Sequence, residues 1–227
     1  MRTYLSMVWL IRDDIPRARK DLEGLLDLWP GDKYQIQYFF HLYARCEHAL
    51  YEDRPDVAVQ AMAAEAVRLR ASAMLKIRGI RADYSWLTGR LALAMAERTA
   101  QADRPALLRK AMRCAHYLLK FDQQTAVAMG SMLVTGVRRL SPGADREAIA
   151  TALEQAVESL DATGAKSLAE SGRFWLGEIV GGARGDELRA RALRWLEGEG
   201  VQDPPRMTYS ILPGFRASPL RVPESDP

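Results

Sequence analysis

The chain has 227 residues, 48% of them hydrophobic, which is enough apolar side chain for a sizeable core and excludes an intrinsically disordered protein. Its 32 basic and 29 acidic side chains leave a formal charge of +3, so the pI near 8.9 reflects a slim excess rather than a tract built for phosphate, and no nucleic acid is expected as a partner. Two cysteines without disulfide or zinc spacing, and no apolar run approaching the ~18 residues that cross a bilayer, point to a reducing, cytoplasmic setting without membrane contact.

The opening stretch MRTYLSMVWLIRDD reads as helical within a residue or two of Met1, with no N-cap and no small-residue cleavage site. That abrupt start suggests a piece of a longer protein. Helix, charged turn and proline then recur in WLIRDDIPRARKDL, in HALYEDRPDVAVQAM and around Pro105 in ERTAQADRPALLRKAM, with each proline at a first helical turn where its missing N–H costs nothing. The periodicity pairs helices at 2–13 with 16–28, 34–52 with 55–72, 76–99 with 105–120, 123–139 with 145–161, and 165–180 with 186–198. Turns are expected at Trp29-Pro30-Gly31-Asp32, Asp53-Arg54-Pro55, Asp103-Arg104-Pro105, Ser141-Pro142-Gly143 and Gly181-Gly182-Ala183-Arg184-Gly185. The segment from Gly200 to Pro227 holds six of the eleven prolines and predicts a short closing helix near Pro205 to Leu212, then an irregular tail.

Aligned on a small residue in the first helix of each pair, Ser6, Cys46, Gly89, Gly130 and Gly172 fall 40, 43, 41 and 42 apart, each followed four residues later by Leu10, Leu50, Leu93, Val134 or Leu176. A small side chain lets a neighbouring helix approach, and the aliphatic one turn on fills the seam. One hairpin cannot bury its apolar stripe alone, whereas stacked hairpins share a continuous core. The expected fold is therefore all-α: a right-handed α-solenoid of about five hairpins with a period of about 41 residues, occupying 1–199, and a capping helix and proline-rich tail over 200–227.

The small residue in the first helix, the alanines after the turn (Ala18, Ala58) and Pro30 resemble a lengthened tetratricopeptide repeat. LYEDRPDVAV, LTGRLALAMAE and the closing GVQDPPRMTYSILPGF are similar to the C-terminal helical-repeat region of large bacterial serine/threonine protein kinases of the myxobacterial type. The resemblance spans essentially the whole chain and implies repeats that organise partners or regulation beside a kinase domain. The chain itself has no Gly-rich phosphate loop, no His-Arg-Asp loop and no Asp-Phe-Gly, so phosphoryl transfer is not expected from it.

His41 and His48 share a helix face with Arg45, whose charge disfavours a metal between them, and no cofactor or metal site is expected. TGAKS, residues 163–167, lacks the earlier glycine of a phosphate loop and reads as a turn with Ser167 or Thr163 as N-cap. Asp13-Asp14 and Glu52-Asp53 read as solvated turn carboxylates. Arg68, Arg70, Lys76, Arg78, Arg81 and Arg90, opposed only by Asp83, form either a solvated face or a cradle for an acidic or phosphorylated peptide, since arginine presents a planar fork to such groups. Tandem hairpins expose first helices on a concave face, where the alignment places Tyr43, Glu47, Trp86, Arg90, Ser131 and Arg173; with Arg78 and Arg81 of the basic run, Tyr43, Glu47, Trp86, Arg90 and Arg173 are the candidate partner-binding residues. Trp86 is either an anchor for that partner or a core residue.

Two functions follow: a non-catalytic interaction scaffold working with a serine/threonine kinase, or the effector-sensing repeat arm of a large ATP-dependent transcription regulator. Self-association through an uncovered side of the first helix is a third, structural possibility.

Overall fold

The computed structural model describes residues 2–28 and 33–216, with side chains from Met7 onward. The Ser6 side chain, the expected turn at Trp29-Pro30-Gly31-Asp32 and the tail beyond Arg216 lie outside the described residues. Those residues form eleven α-helices and no strand: α1 (Arg2–Ile11), α2 (Ile15–Leu22), α3 (Ile36–Tyr51), α4 (Pro55–Ala71), α5 (Arg78–Arg98), α6 (Arg104–Leu118), α7 (Gln124–Leu140), α8 (Arg146–Ala162), α9 (Lys166–Val180), α10 (Gly182–Gly198) and α11 (Pro204–Ile211). Short 3-10 turns occupy Leu25–Leu28, Met74–Lys76 and Gln101–Asp103.

Local chemistry accounts for the ends. Asp14, Asp145 and Asp203 accept bonds from backbone N–H groups at the starts of α2, α8 and α11, and prolines sit in the first turns of α2, α4, α6 and α11. Four helices close alike, with a left-handed residue and a bond back across the last turn: Asp14 N–H to Trp9 O, Arg54 N–H to Ala49 O, Ala165 N–H to Leu160 O and Val201 N–H to Leu196 O, at 2.7–3.0 Å. Glycine serves at 164 and 200, but Asp13 (φ 53°) and Asp53 (φ 60°) serve at the first two. Thr163 donates to Leu160 O at the end of α8, and α9 starts at Lys166 without a side-chain cap, so neither Thr163 nor Ser167 is the N-cap expected from the sequence.

Each odd-numbered helix from α1 to α9 packs on the even one that follows, α6 and α8 also pack closely on α7 and α9, and α1, α3, α5 and α7 touch in succession. Of the aliphatics of the spacing pattern, Leu10, Leu50, Leu93 and Leu176 are buried and Val134 is half-buried, and Ala18 and Ala58 are fully enclosed. A Cβ on Gly89 would meet Leu133 Cδ1 at 2.5 Å, and one on Gly172 would meet Val157 Cγ2 at 2.7 Å. The closest approach is elsewhere. The stretch from Gly182 to Gly185, expected as a turn, already belongs to α10, because Gly185 lies against the Gly177 carbonyl, where a Cβ would stand 2.4 Å away.

The last helix and the residues after it, to Arg216, form an arm that folds back across the odd-numbered helices. α11 rests on α3, α9 and α10, while Leu212 and Phe215 enter the core shared by α5 to α10. Among the described side chains of α1, Leu10 is covered, packing in one cluster with Tyr51, Leu196, Val201 and Met207 while Gln202 N–H donates to Ile11 O, and Val8 remains exposed. The first helix thus meets the end of α10 and the start of α11. No described helix is long and apolar enough to cross a membrane.

Candidate functional site

Arg90 and Glu47, 43 residues apart, are set side by side by the packing of α5 on α3, with 3% and 8% of their side chains exposed. The guanidinium grips the carboxylate through Nη1–Oε1 at 2.5 Å and Nη2–Oε2 at 2.9 Å, and Nη2 also donates to Ser210 O of the arm. Burial works against the Arg90 charge, but the Glu47 charge and hydrogen bond outweigh it, and the net shift is upward. Tyr43, one turn before Glu47, is raised well above its ordinary value by burial and then by the Glu47 charge, so its hydroxyl stays protonated. The Arg90 guanidinium carbon stands 5.5 Å from the centre of the Trp86 ring. A buried pair of this kind tolerates loss of neither partner, since the survivor would be an uncompensated charge.

The arm is held at both ends by carboxylates in strained turns. Arg206 reaches Asp13 at 2.6 Å, where the Tyr51 hydroxyl also donates at 3.0 Å; Arg216 reaches Asp53 at 2.7 Å, beside Arg98 at 2.5 Å. A left-handed aspartate costs more than glycine would, and here it supplies the ion pair that glycine cannot. Between the latches, Arg216 N–H donates to Glu97 at 2.8 Å, Phe215 stacks on Trp175 at 6.1 Å, and Gly214 (φ 102°) lets the backbone lie 3.2 Å (ideal Cβ) from Leu93. Asp13, Glu52 and Asp53 are therefore not idle turn carboxylates; Glu52 is the bidentate partner of Arg19.

The candidate residues do not share one open face. Glu47, Trp86 and Arg90 converge but are buried beneath the arm, Tyr43 is half-buried beside them, and Arg173 is buried apart from them in ion pairs with Glu170 and Asp161. This corrects the expected exposure of Glu47 and Arg90, which the chain's own arm covers through Ser210, and of Arg173, which its ion pairs enclose. Trp86 lies in the core. Arg78 and Arg81 are exposed at the start of α5, with their guanidinium carbons 4.5 Å from the Phe121 and Tyr117 rings, and Arg78 pairs with Asp122 at 3.1 Å. Arg68 lies over Tyr34 and Tyr38 next to Glu65, so the basic run is divided among separate neighbours.

Sequence reasoning missed the latches Arg206 and Arg216 and the acceptor Glu97. Their only local signal is an aspartate, in place of glycine, in the first two turns. Lys166 of TGAKS pairs with Asp161 at 2.7 Å, and Gly164 takes φ 75° in a helix stop. Among the described residues no three His, Cys, Asp or Glu groups gather to hold a metal. No protein-family model, curated protein or solved structure matches the chain.

Proposed function

We propose that this chain is a non-catalytic scaffold: a right-handed, tetratricopeptide-like stack of five helix hairpins that binds a protein segment, in the cytoplasm, as the repeat region of a bacterial serine/threonine kinase. The observation that carries the reading is the arm itself. The odd-numbered helices grip a stretch of polypeptide through its backbone, at Ser210 O and Arg216 N–H, and through an aromatic plug, Phe215. That is how such a surface would receive a partner peptide. Succession of α1, α3, α5 and α7 along one side, and the shared turn geometry after α1 and α3, support the repeat arrangement. The kinase assignment rests on the sequence resemblance alone.

With the arm in place, the exposed guanidinium groups of Arg78 and Arg81, resting on buried Phe121 and half-buried Tyr117, are where an acidic or phosphorylated segment docks. Two tests separate the halves of this reading. Titration with magnesium-ATP should show neither binding nor phosphate release, and either one would overturn the non-catalytic assignment. A fluorescent, glutamate-rich phosphopeptide should bind the intact chain and lose about tenfold in affinity in the Arg78→Glu/Arg81→Glu double variant, since reversed charges repel it. Equal affinity for both proteins would remove the edge from consideration.

A further inference from the structure

We propose that the cavity between the two ends of the chain binds a small amphipathic cation: a compact, mainly aromatic molecule carrying one positive charge. The cavity encloses about 430 Å³ and is walled by α1, α3, α5, the first turn of α9, α10 and α11. That volume falls within the roughly 300–1,000 Å³ of small-molecule sites. The walls are apolar and adaptable, with half-buried Trp195 presenting aromatic surface and Met7 a flexible thioether over the buried Trp86 and Met207.

Charge decides the class of ligand. Among the described residues three ionic groups line the cavity: Arg90, Glu47 and Glu199. Arg90 and Glu47 neutralise each other's charge, leaving the Arg90 Nε without a partner, whereas Glu199 is exposed and makes no ion pair among the described residues. The lining therefore carries one uncompensated negative charge beside aromatic rings, and both attract a cation. An anion would face Glu199 and a single guanidinium, Arg90, whose charge Glu47 already compensates, and a neutral molecule would gain nothing from the Glu199 carboxylate. The walls come from both ends of the sequence, so an occupant would tie the first hairpin to the last and stabilise the closed form by mass action.

The test is fluorescence titration of the full chain with berberine, a planar aromatic monocation that brightens in apolar surroundings. Saturable one-to-one binding is expected, with a rise in the melting temperature. Leu168→Trp, at a half-buried wall position in the first turn of α9, should cut affinity at least about tenfold by filling the space. Ser167→Trp, on the exposed rim, gives the same reading should the first variant lose its helical circular dichroism. Glu199→Gln should weaken binding about two- to fivefold and flatten its salt dependence. Absence of saturable binding, or unchanged binding in a folded tryptophan variant, overturns the proposal. So does binding of the anion 8-anilinonaphthalene-1-sulfonate or the neutral N-phenyl-1-naphthylamine at least as tightly as berberine at this cavity. None of these outcomes depends on the scaffold reading, whose tests use the Arg78 and Arg81 edge and nucleotide.

Discussion

His48 is 5% exposed in the middle of the α3 packing surface, and burial lowers its pKa from 6.5 to about 4, against the opposing pull of Glu52 and Glu47. The imidazole is therefore protonated more readily in the unfolded chain. Its contribution to stability is complete above about pH 6.5 and drains away as pH falls towards 4, where it levels off; the full window is worth on the order of 3 kcal/mol. Urea unfolding at pH 7 and pH 4.5 should show this loss, and His48→Gln should have a shallower dependence over the same interval. Some slope should remain from His41, which burial also shifts downward. Glu97 and Asp83, raised by burial, act in the opposite sense in both proteins and cancel in the comparison. A pH-independent difference between the two proteins would show that folding leaves the His48 pKa unshifted.

At the scale of the helices, glycine has two meanings that stability measurements can separate. Gly177 and Gly185 let α9 and α10 touch backbone to backbone: a Cβ on Gly177 would meet the Gly185 carbonyl oxygen at 2.6 Å and the Arg189 Cγ at 2.7 Å. Carbonyls do not move aside as a flexible side chain does. Gly177→Ala should cost about 1–3 kcal/mol. Gly79, in the first turn of α5, has nothing within 4 Å of its Cβ position, so Gly79→Ala should leave stability unchanged or raise it by up to about 1 kcal/mol through helix propensity. Chemical denaturation of both variants checks the contrast. Equal destabilisation would mean that α9 and α10 are not in backbone contact.

At the scale of the whole molecule, the arm turns a row of helix pairs into a closed body. Its hold divides unevenly. Phe215 is 1% exposed, packed against Trp175 and Gly136, whereas the ion pairs of Arg206 and Arg216 are partly open to water. Apolar burial at such a site outweighs solvent-screened charge. Phe215→Ala should cost about 3–5 kcal/mol and Arg206→Ala under about 1 kcal/mol, measured by thermal or urea unfolding. The larger loss should be accompanied by faster amide exchange in α11. Comparable losses for the two variants would place the arm's anchorage in its latches instead of its core contacts.

Much of this protein is legible in its sequence because the signals are local. Helix spacing, prolines in first turns and apolar residues one turn beyond small ones depend on neighbours within a few positions, and they locate α1, α3 to α9 and α11 to within about three residues, while α2, expected to run to residue 28, stops at Leu22 and gives way to a 3-10 turn. The start of α10 was not legible, because Gly182 and Gly185 are unfavourable to a helix until Gly177 presses against them. Burial of the polar inner face was decided only by tertiary structure. Glu47 and Arg90 have the spacing of solvated charges, and what encloses them is Ser210, 120 residues beyond Arg90. A one-dimensional pattern specifies which side of a helix is polar. Whether water or another part of the chain meets that side depends on where the two ends of the molecule come together.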